Sequence, residues 1–433
     1  MSEGNRMRAH APVRTVAVSA LAASAVAAAL LVPAAPAQAA GVTTWLVGNS
    51  VSTGEQSLPA VAANRNGDVA VTWQDDRTAT TPTDTTHSDI YLRLFHNGVS
   101  SYEIKLSAGG TAGTNWRHIT PDVGLDDRGD AVVVWADDPD GNGFYNVAYR
   151  VVSPAGKVLG SGHANGNSDG QQINPKVAVD PDGAPDSTTA VAFTAVWEDI
   201  QGSAAATVKA AGYTGTATKA YEVTVNAAGG SQHRPDVAVD ASGNATVVWD
   251  EDTDGNGFYN VGLTRLAKAN GAVILSRRSA NTITDGQQEH PSVAANFNGD
   301  FVVSWESDHT GTTGVWARSF GADGTGLSPE VQVSTGTGAG SPSVGIDDQS
   351  DAVVGWSVAG TDPAVWARGL NPDGTTAGRL PSQSSSQVTT GRQDGMAVAV
   401  SPFGQLAVSY TDDHDGNGWD QIMLGLGGSD SDW

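Results

Sequence analysis

The sequence predicts an all-β chain, a seven-bladed β-propeller closed by its own N-terminal strand. Three observations lead there. A G-x5-W step recurs from Gly67 to Trp73, Gly129 to Trp135, Gly243 to Trp249 and Gly299 to Trp305. Ser350 to Trp356 and Gly404 to Tyr410 keep the spacing with one residue changed, and Gly183 to Trp197 keeps the order around an insertion, giving seven copies. Each copy opens on a proline, at Pro59, Pro121, Pro175, Pro235, Pro291 and Pro342, with Met396 in the seventh; the successive separations are 62, 54, 60, 56, 51 and 54 residues. Several short strands repeated about every fifty residues are the mark of propeller blades. Finally, the last copy runs out after Gln421 to Leu424, while T-T-W-L-V-G-N-S-V-S, Thr43 to Ser52, precedes the first copy without a partner. As the missing outer strand of the seventh blade, it would seal the ring and remove an exposed sheet edge.

In chain order, residues 1–40 read as a secretory signal: Arg6, Arg8 and Arg14, then an apolar run from Val16 to Val32, then small residues ending A-Q-A-A. The arginines are unpaired, which favours the general secretion route. Residues 41–433 are expected to form one domain, released outside the cell, since no later stretch approaches the ~20 apolar residues of a membrane span. Removing three Arg and one Glu with the signal takes the formal charge from −24 to −26. That surface excludes nucleic acid and anionic lipid as partners and favours divalent cations and basic ones. With no cysteine, a secreted chain must hold together by burial and ring closure.

Blade four shows the grammar. From Pro235 to Arg265 an alternating run through Val237 and Val239 meets a turn at Gly243. A second run ends at Trp249, an acidic Gly/Asn loop follows, and a third run starts at Val261. A fourth strand fits before the next proline, as at Glu330 to Ser334, and Ser382 to Ser386 falls where blade six needs its own. The first strand is small and aliphatic in every copy, V-A-A, V-G-L, V-A-V or V-G-I, as an innermost strand around a narrow channel requires. The Trp reads as packing between blades. Two positions after it stands an acid in Asp75, Asp137, Asp199, Glu251 and Asp412, and the third strand carries Arg93, Arg150, Arg318 and Arg368. The two sets overlap only in blades one and two, so one ion pair per blade does not explain them.

Two loop sets on one face are the candidate binding surface. Gln56, Gln172, Gln232, Gln288 and Gln393 stand three before the proline or its equivalent, and His118 does so in blade two. They either tie each loop in place by hydrogen bonds or form a planar-amide rim for sugar hydroxyls, joined by His233, His290, Trp116 and Arg234. The second set is D-D-P-D-G-N-G-F-Y-N from Asp137, E-D-T-D-G-N-G-F-Y-N from Glu251 and D-D-H-D-G-N-G-W-D-Q from Asp412. Asp250, Asp252 and Asp254 alternate before Gly255, with Asp138 and Asp140 and then Asp413 and Asp415 in the other copies. Alternate carboxylates ahead of a glycine turn suit Ca2+, which takes six to eight oxygens; Asp, Gly and Asn also suit tight turns. Tyr145, Tyr259 and Trp419 beside these loops offer rings on which a sugar could stack.

These loops resemble the calcium-loop repeats of integrin-type and bacterial surface propellers, with departures: Ala136 and Thr411 hold the first position in blades two and seven, Phe258 the ninth in blade four, and no Glu stands at the twelfth. The alanine-rich signal, sparse lysine and acidic charge resemble secreted lectin-like propellers of actinobacterial type, including the propeller subunit of umbrella toxin particles. That resemblance implies a non-catalytic module recognising a cell-surface glycan or cell-wall polymer, with a protein partner in a larger secreted complex. No H-E-x-x-H pair, phosphate-binding glycine loop or sialidase-type S-x-D-x-G-x-T-W box is present. The competing expectations are a propeller glycoside hydrolase or lyase, with acids scattered over the rim, and a subunit that docks protein alone.

Overall fold

A computed structural model describes residues 42–428 except 80, 82–86, 111–114, 183–190, 226–228, 336, 361–363, 378–382, 385 and 387–389. The expected secretory signal, residues 1–40, and part of the serine-rich piece of blade six lie outside the described residues.

Among the described residues every regular element is a strand, and the strands form seven four-stranded antiparallel sheets. Blade four runs Ser231–Val239, Ala245–Asp252, Asn260–Leu266 and Val273–Ser279 from axis to rim. The inner strands are Glu55–Ala63, Arg117–Leu125, Gln171–Val179, Ser231–Val239, Gln288–Ala295, Ala339–Ile346 and Arg392–Val400. Each touches the inner strands of the next and previous blades, the last meeting the first, so the ring is closed. The N-terminal strand Val42–Val47 pairs antiparallel with Gln421–Gly427 and completes blade seven, as the sequence predicts. The outer strand of blade five, Val331–Gln332, is shorter than the expected Glu330 to Ser334, and Gln383–Ser384 forms the outer strand of blade six among the described residues.

The small residues of the inner strands are set by crowding at the axis. A Cβ on Gly124 would lie 3.1 Å from the Val179 nitrogen, and one on Gly345 would lie 2.6 Å from the Val400 nitrogen, so only glycine lets these neighbouring blades close up. Away from the axis the gap widens and the buried side chains grow. Trp73, Trp135, Trp197, Trp249, Trp305, Trp356 and Tyr410 fill it, all buried.

In blades one, two and four the acid two residues after the Trp has a plain task. Strand alternation puts it on the same sheet face as the indole, and Trp73 Nε1 donates to Asp75 at 2.9 Å, Trp135 to Asp137 at 2.8 Å and Trp249 to Glu251 at 2.9 Å. Three of the third-strand arginines reach the preceding blade instead, while Arg150 donates to the Tyr149 carbonyl of its own strand at 3.0 Å. Arg93 donates to the Val47 and Gly48 carbonyls, Arg318 to Ala280 and Arg368 to Val333. Trp249→Phe is expected to cost about 1.5–3 kcal/mol, because it removes the indole donor from a buried carboxylate; urea denaturation of the two proteins measures it.

Candidate functional site at the channel mouth

In blade four the start of the inner strand pairs with the end of the second, Ser231 with Asp252. The loop between strands two and three therefore shares a face with the connection into the next blade, and the axial channel opens there. Just below, every inner strand breaks register, six of them at the proline and blade seven at Met396. Proline, with no N–H to give the ladder, is suited to such a bulge, and Met396 takes the same place in blade seven. The residue before it is left-handed in each blade: Leu58 (φ 51°), Thr120 (51°), Asn174 (51°), Arg234 (48°), His290 (52°) and Ser341 (51°), with Gly395 (62°) before Met396. Such conformations cost about 1–3 kcal/mol each in non-glycine residues and collect where side chains must be aimed. Here all seven residues line a cavity of about 700 Å³ on the axis.

The cavity is chemically lopsided. Blades six, seven and one contribute Ser341, Pro342, Met396, Ala397, Leu58 and Ala60. Blades two to five contribute charge. One residue after the repeated Trp, or Tyr410 in blade seven, stand Gln74, Ala136, Glu198, Asp250, Glu306, Ser357 and Thr411, so carboxylates occupy this place on three consecutive blades only. Glu198 Oε1 meets His233 Nδ1 at 2.7 Å, and Oε2 accepts from Asn174 Nδ2 at 3.2 Å and the Arg234 amide at 3.3 Å. Glu306 Oε1 lies 3.3 Å from His290 Nδ1 and accepts the Ser341 amide at 2.6 Å. Between these two pairs Arg234 donates through Nε to Asp250 and through Nη2 to Glu289 at 3.0 Å. His233, Arg234 and His290 all line the cavity, and neither imidazole spends Nε2 on a described residue.

The protonation states divide. Burial pushes the Glu198 carboxyl up, but His233, the Arg234 amide and Asn174 outweigh it and hold it below the usual range. Glu306 is held low against burial in the same way by His290 and the Ser341 amide. The Glu306 hydrogen bond raises the His290 imidazolium, more than burial lowers it. Asp250 goes the other way: burial pushes it up to about 7 despite Arg234, and its Oδ1 is buried without a partner.

A second tier lies one residue past the proline. Asp122 Oδ2 accepts the Val177 amide at 2.8 Å and Asp236 Oδ2 the Val293 amide at 2.8 Å, each stitching its blade to the next. Lys176 stands between them, its ammonium 3.5 Å from Asp122 Oδ1. Burial lifts Asp236 to about 6 against the pull of Lys176.

The predicted rim of glutamines is a correction. Gln56, Gln172, Gln232 and Gln288 are 0 % exposed, and Gln393 and His118 are 1 % exposed. The amides of Gln56, Gln172, Gln288 and Gln393 fold back on the carbonyls of Thr53, Asp169, Asp285 and Thr390, three residues earlier. Gln232 accepts the Val208 amide at 3.2 Å, and His118 bridges Asp137 and the Ala108 carbonyl. They shape the loops under the rim, and the alternative reading of hydrogen-bonded loop ties is the one the geometry matches.

The acidic loops also use their carboxylates internally. Asp138 accepts the Asn142 and Gly143 amides, Asp252 those of Asn256 and Gly257, Asp413 that of Gly418, while Asp140, Asp254 and Asp415 accept from the asparagine two residues on. Asp250 is drawn away from its loop to Arg234, so the blade-four loop keeps two of its three expected carboxylates. Among the described residues no three acidic or histidine side chains gather as a metal-binding group. Tyr145 and Trp419 are half-buried on their own blades, whereas Tyr259 flanks the mouth, 5.8 Å from the His233 ring and 6.0 Å beneath the Arg234 guanidinium. Phe144 and Phe258, next to the two tyrosines, are the exposed rings of these loops.

Fold and site together define a seven-bladed β-propeller whose axial cavity carries two carboxylate-held histidines around an arginine. No protein-family model and no curated protein sequence matches the chain. Among solved structures it is similar to a protein of unknown function from Dyadobacter fermentans (12 % identity, 89 % of this chain and 98 % of that one, TM-score 0.48). It is also similar to an α-L-arabinofuranosidase from Fusarium graminearum (11 %, 71 % and 92 %, 0.49) and a sialidase from Streptococcus pneumoniae (11 %, 89 % and 70 %, 0.47). At these values the likeness speaks to neither substrate nor chemistry, and the functional reading rests on the mouth.

Proposed function

We propose that the chain is a secreted propeller that binds an extracellular glycan at the channel mouth and cleaves it by acid–base chemistry, as a hydrolase or lyase. One observation supports this above the others: His233 and His290 are each held through Nδ1 by a carboxylate, with Nε2 left for the cavity. A base and an acid fixed this way are the two partners a glycosidic bond needs. In hydrolysis, His233 takes a proton from the attacking water while His290 gives one to the leaving oxygen. The old C–O bond breaks as the new one forms, and Arg234 hydrogen-bonds the sugar between them. On a sugar bearing a carboxylate, Arg234 would neutralise that group and the same pair would serve an elimination.

The test is a panel of plant, bacterial and fungal polysaccharides, followed by new reducing ends and by absorbance of unsaturated sugars. Cleavage lost in the His233→Gln variant supports the reading, and binding without cleavage removes it. The exposed Phe144 and Phe258 favour a second reading, a lectin-like module that holds glycan at several blades without cutting it, where avidity would offset weak single sites. Calcium in the blade-four loop is a further proposal. With Asp252 and Asp254 as the remaining carboxylates, millimolar CaCl2 is expected to raise the melting temperature by less than about 3 °C, and a chelator to reverse it. A melting temperature indifferent to both removes calcium. Membership of a larger secreted particle is tested by the native size of the protein in culture supernatant, where a free monomer would remove it.

A further inference from the structure

The channel does not run through the ring. At the end away from the mouth, Arg65 of blade one pairs with Asp127 of blade two at 2.8 Å, and its guanidinium lies over the Phe297 ring of blade five, 5.1 Å from the centroid. Blades one and five are not neighbours in the ring, so this contact crosses the axis. Hydrogen bonds around the same rim hold it. The Asp127 amide donates to Pro181 at 3.0 Å, Ala241 to the Phe297 carbonyl at 3.3 Å, the Phe297 amide to Asp348 Oδ1 at 3.1 Å, and Asp348 to Pro402 at 3.1 Å. None of these residues lines the 700 Å³ cavity, which ends above them as a blind recess.

Within the recess the second tier holds an under-used donor. Both carboxylates beside Lys176 are occupied by backbone amides, and the ammonium, with three protons to give, makes a single long hydrogen bond among the described residues, to Asp122. Its side chain keeps 42 % of its exposure inside the channel. Opposite it, Met396, Ala397, Leu58 and Ala60 form an apolar wall. A ring of hydroxyls on one edge and C–H groups on the other fits between them: hydroxyl oxygens toward Lys176, hydroxyl protons toward the spare lone pairs of Asp122 and Asp236, and the C–H face on the apolar wall.

We infer that this recess takes the terminal sugar of a glycan chain, with Lys176 as its binding residue, so that the protein engages chain ends and not chain interiors. The inference rests on the reading that the mouth binds glycan. It is tested by ligand-observed saturation-transfer NMR, using methyl glycosides of the common hexoses, pentoses and N-acetylhexosamines beside their hexasaccharides, with wild type and Lys176→Met. The expected result is a methyl glycoside signal in wild type that falls roughly tenfold in Lys176→Met. Ala397→Phe, which fills the recess from the opposite wall, serves as a second variant should Lys176→Met unfold, and it should abolish the same signal. Hexasaccharide binding with no methyl glycoside signal, or a signal indifferent to both variants, overturns the inference. Internal cleavage of a polymer with no methyl glycoside binding overturns it too while leaving the proposed chemistry standing. Methyl glycoside binding lost in Lys176→Met, with no polymer cleaved, upholds it and removes the cleavage reading.

Discussion

A His290→Gln protein is expected to turn over its glycan about 10²–10⁴-fold more slowly than wild type, the range that a positioned general acid contributes. The glutamine keeps a donor for Glu306 and similar volume, so the melting temperature should move little. What separates a catalytic imidazole from a structural one is the pH profile. His290 has its imidazolium raised above 6.5 chiefly by the hydrogen bond it donates to Glu306. Wild-type kcat/KM should therefore hold as pH passes 6.5 and fall tenfold per unit once pH passes the raised value, because the proton donor is lost. Glu306→Gln removes that cause, so its alkaline limb should move to lower pH with the slope unchanged. The same linkage sets the sign for stability. The contribution of the His290 to Glu306 pair is complete below 6.5, the unfolded value, and disappears as pH rises through the folded one. Equal alkaline limbs in wild type and Glu306→Gln would remove His290 from the acid role.

The repeat was readable because blade architecture is written in spacing: a proline, a glycine turn and a tryptophan recur in order, and glycine or alanine marks the crowded axis at positions such as Gly124 and Gly345. The mouth was not readable by the same method, because a site on a symmetric ring lies where the repeat is broken. Glutamine three before the proline is regular, and regularity here marks a residue every blade needs for its own loop. Glu198, Asp250 and Glu306 are irregular, present in three blades where the others carry Gln, Ala, Ser or Thr, and that irregularity was the available signal. Asp122, Lys176 and Asp236 carry it as well, against Ala60, Ser292, Ser343 and Ala397. Asp250 misled for a different reason. Its spacing with Asp252 and Asp254 suits a calcium loop, but the bulge that makes Arg234 left-handed delivers a guanidinium to it from the neighbouring strand, and no local pattern encodes that.

Deleting residues 42–47 is expected to have the largest effect on stability of any local change. The strand buries Val42 to 2 % exposure and sets the Trp45 ring edge-on against Tyr410 at 5.9 Å, over the space that a side chain on Gly425 would fill. Losing Val42, Trp45 and Leu46 from the blade-seven core removes about 1.5–3 kcal/mol for each fully buried side chain. As Trp45 and Leu46 are half-buried, ~3–6 kcal/mol is the expected loss, a large share of the ~5–15 kcal/mol that holds a typical domain together. Two penalties add to it: Gln421–Gly427 becomes an open edge with unpaired backbone groups, and no disulfide is present to hold blade seven to blade one. The shortened protein should unfold at markedly lower urea, bind a hydrophobic dye and self-associate through the exposed edge. Trp45→Ala, which keeps the strand and its hydrogen bonds, should show the packing loss without the association. Adding a synthetic Val42–Val47 peptide to the shortened protein should recover part of the urea midpoint, since the vacated edge accepts only an antiparallel partner in that register. A shortened protein with an unchanged midpoint would mean that blades one and seven hold each other without the strand, through contacts such as that of the Gln56 amide with the Asp420 carbonyl at 3.1 Å.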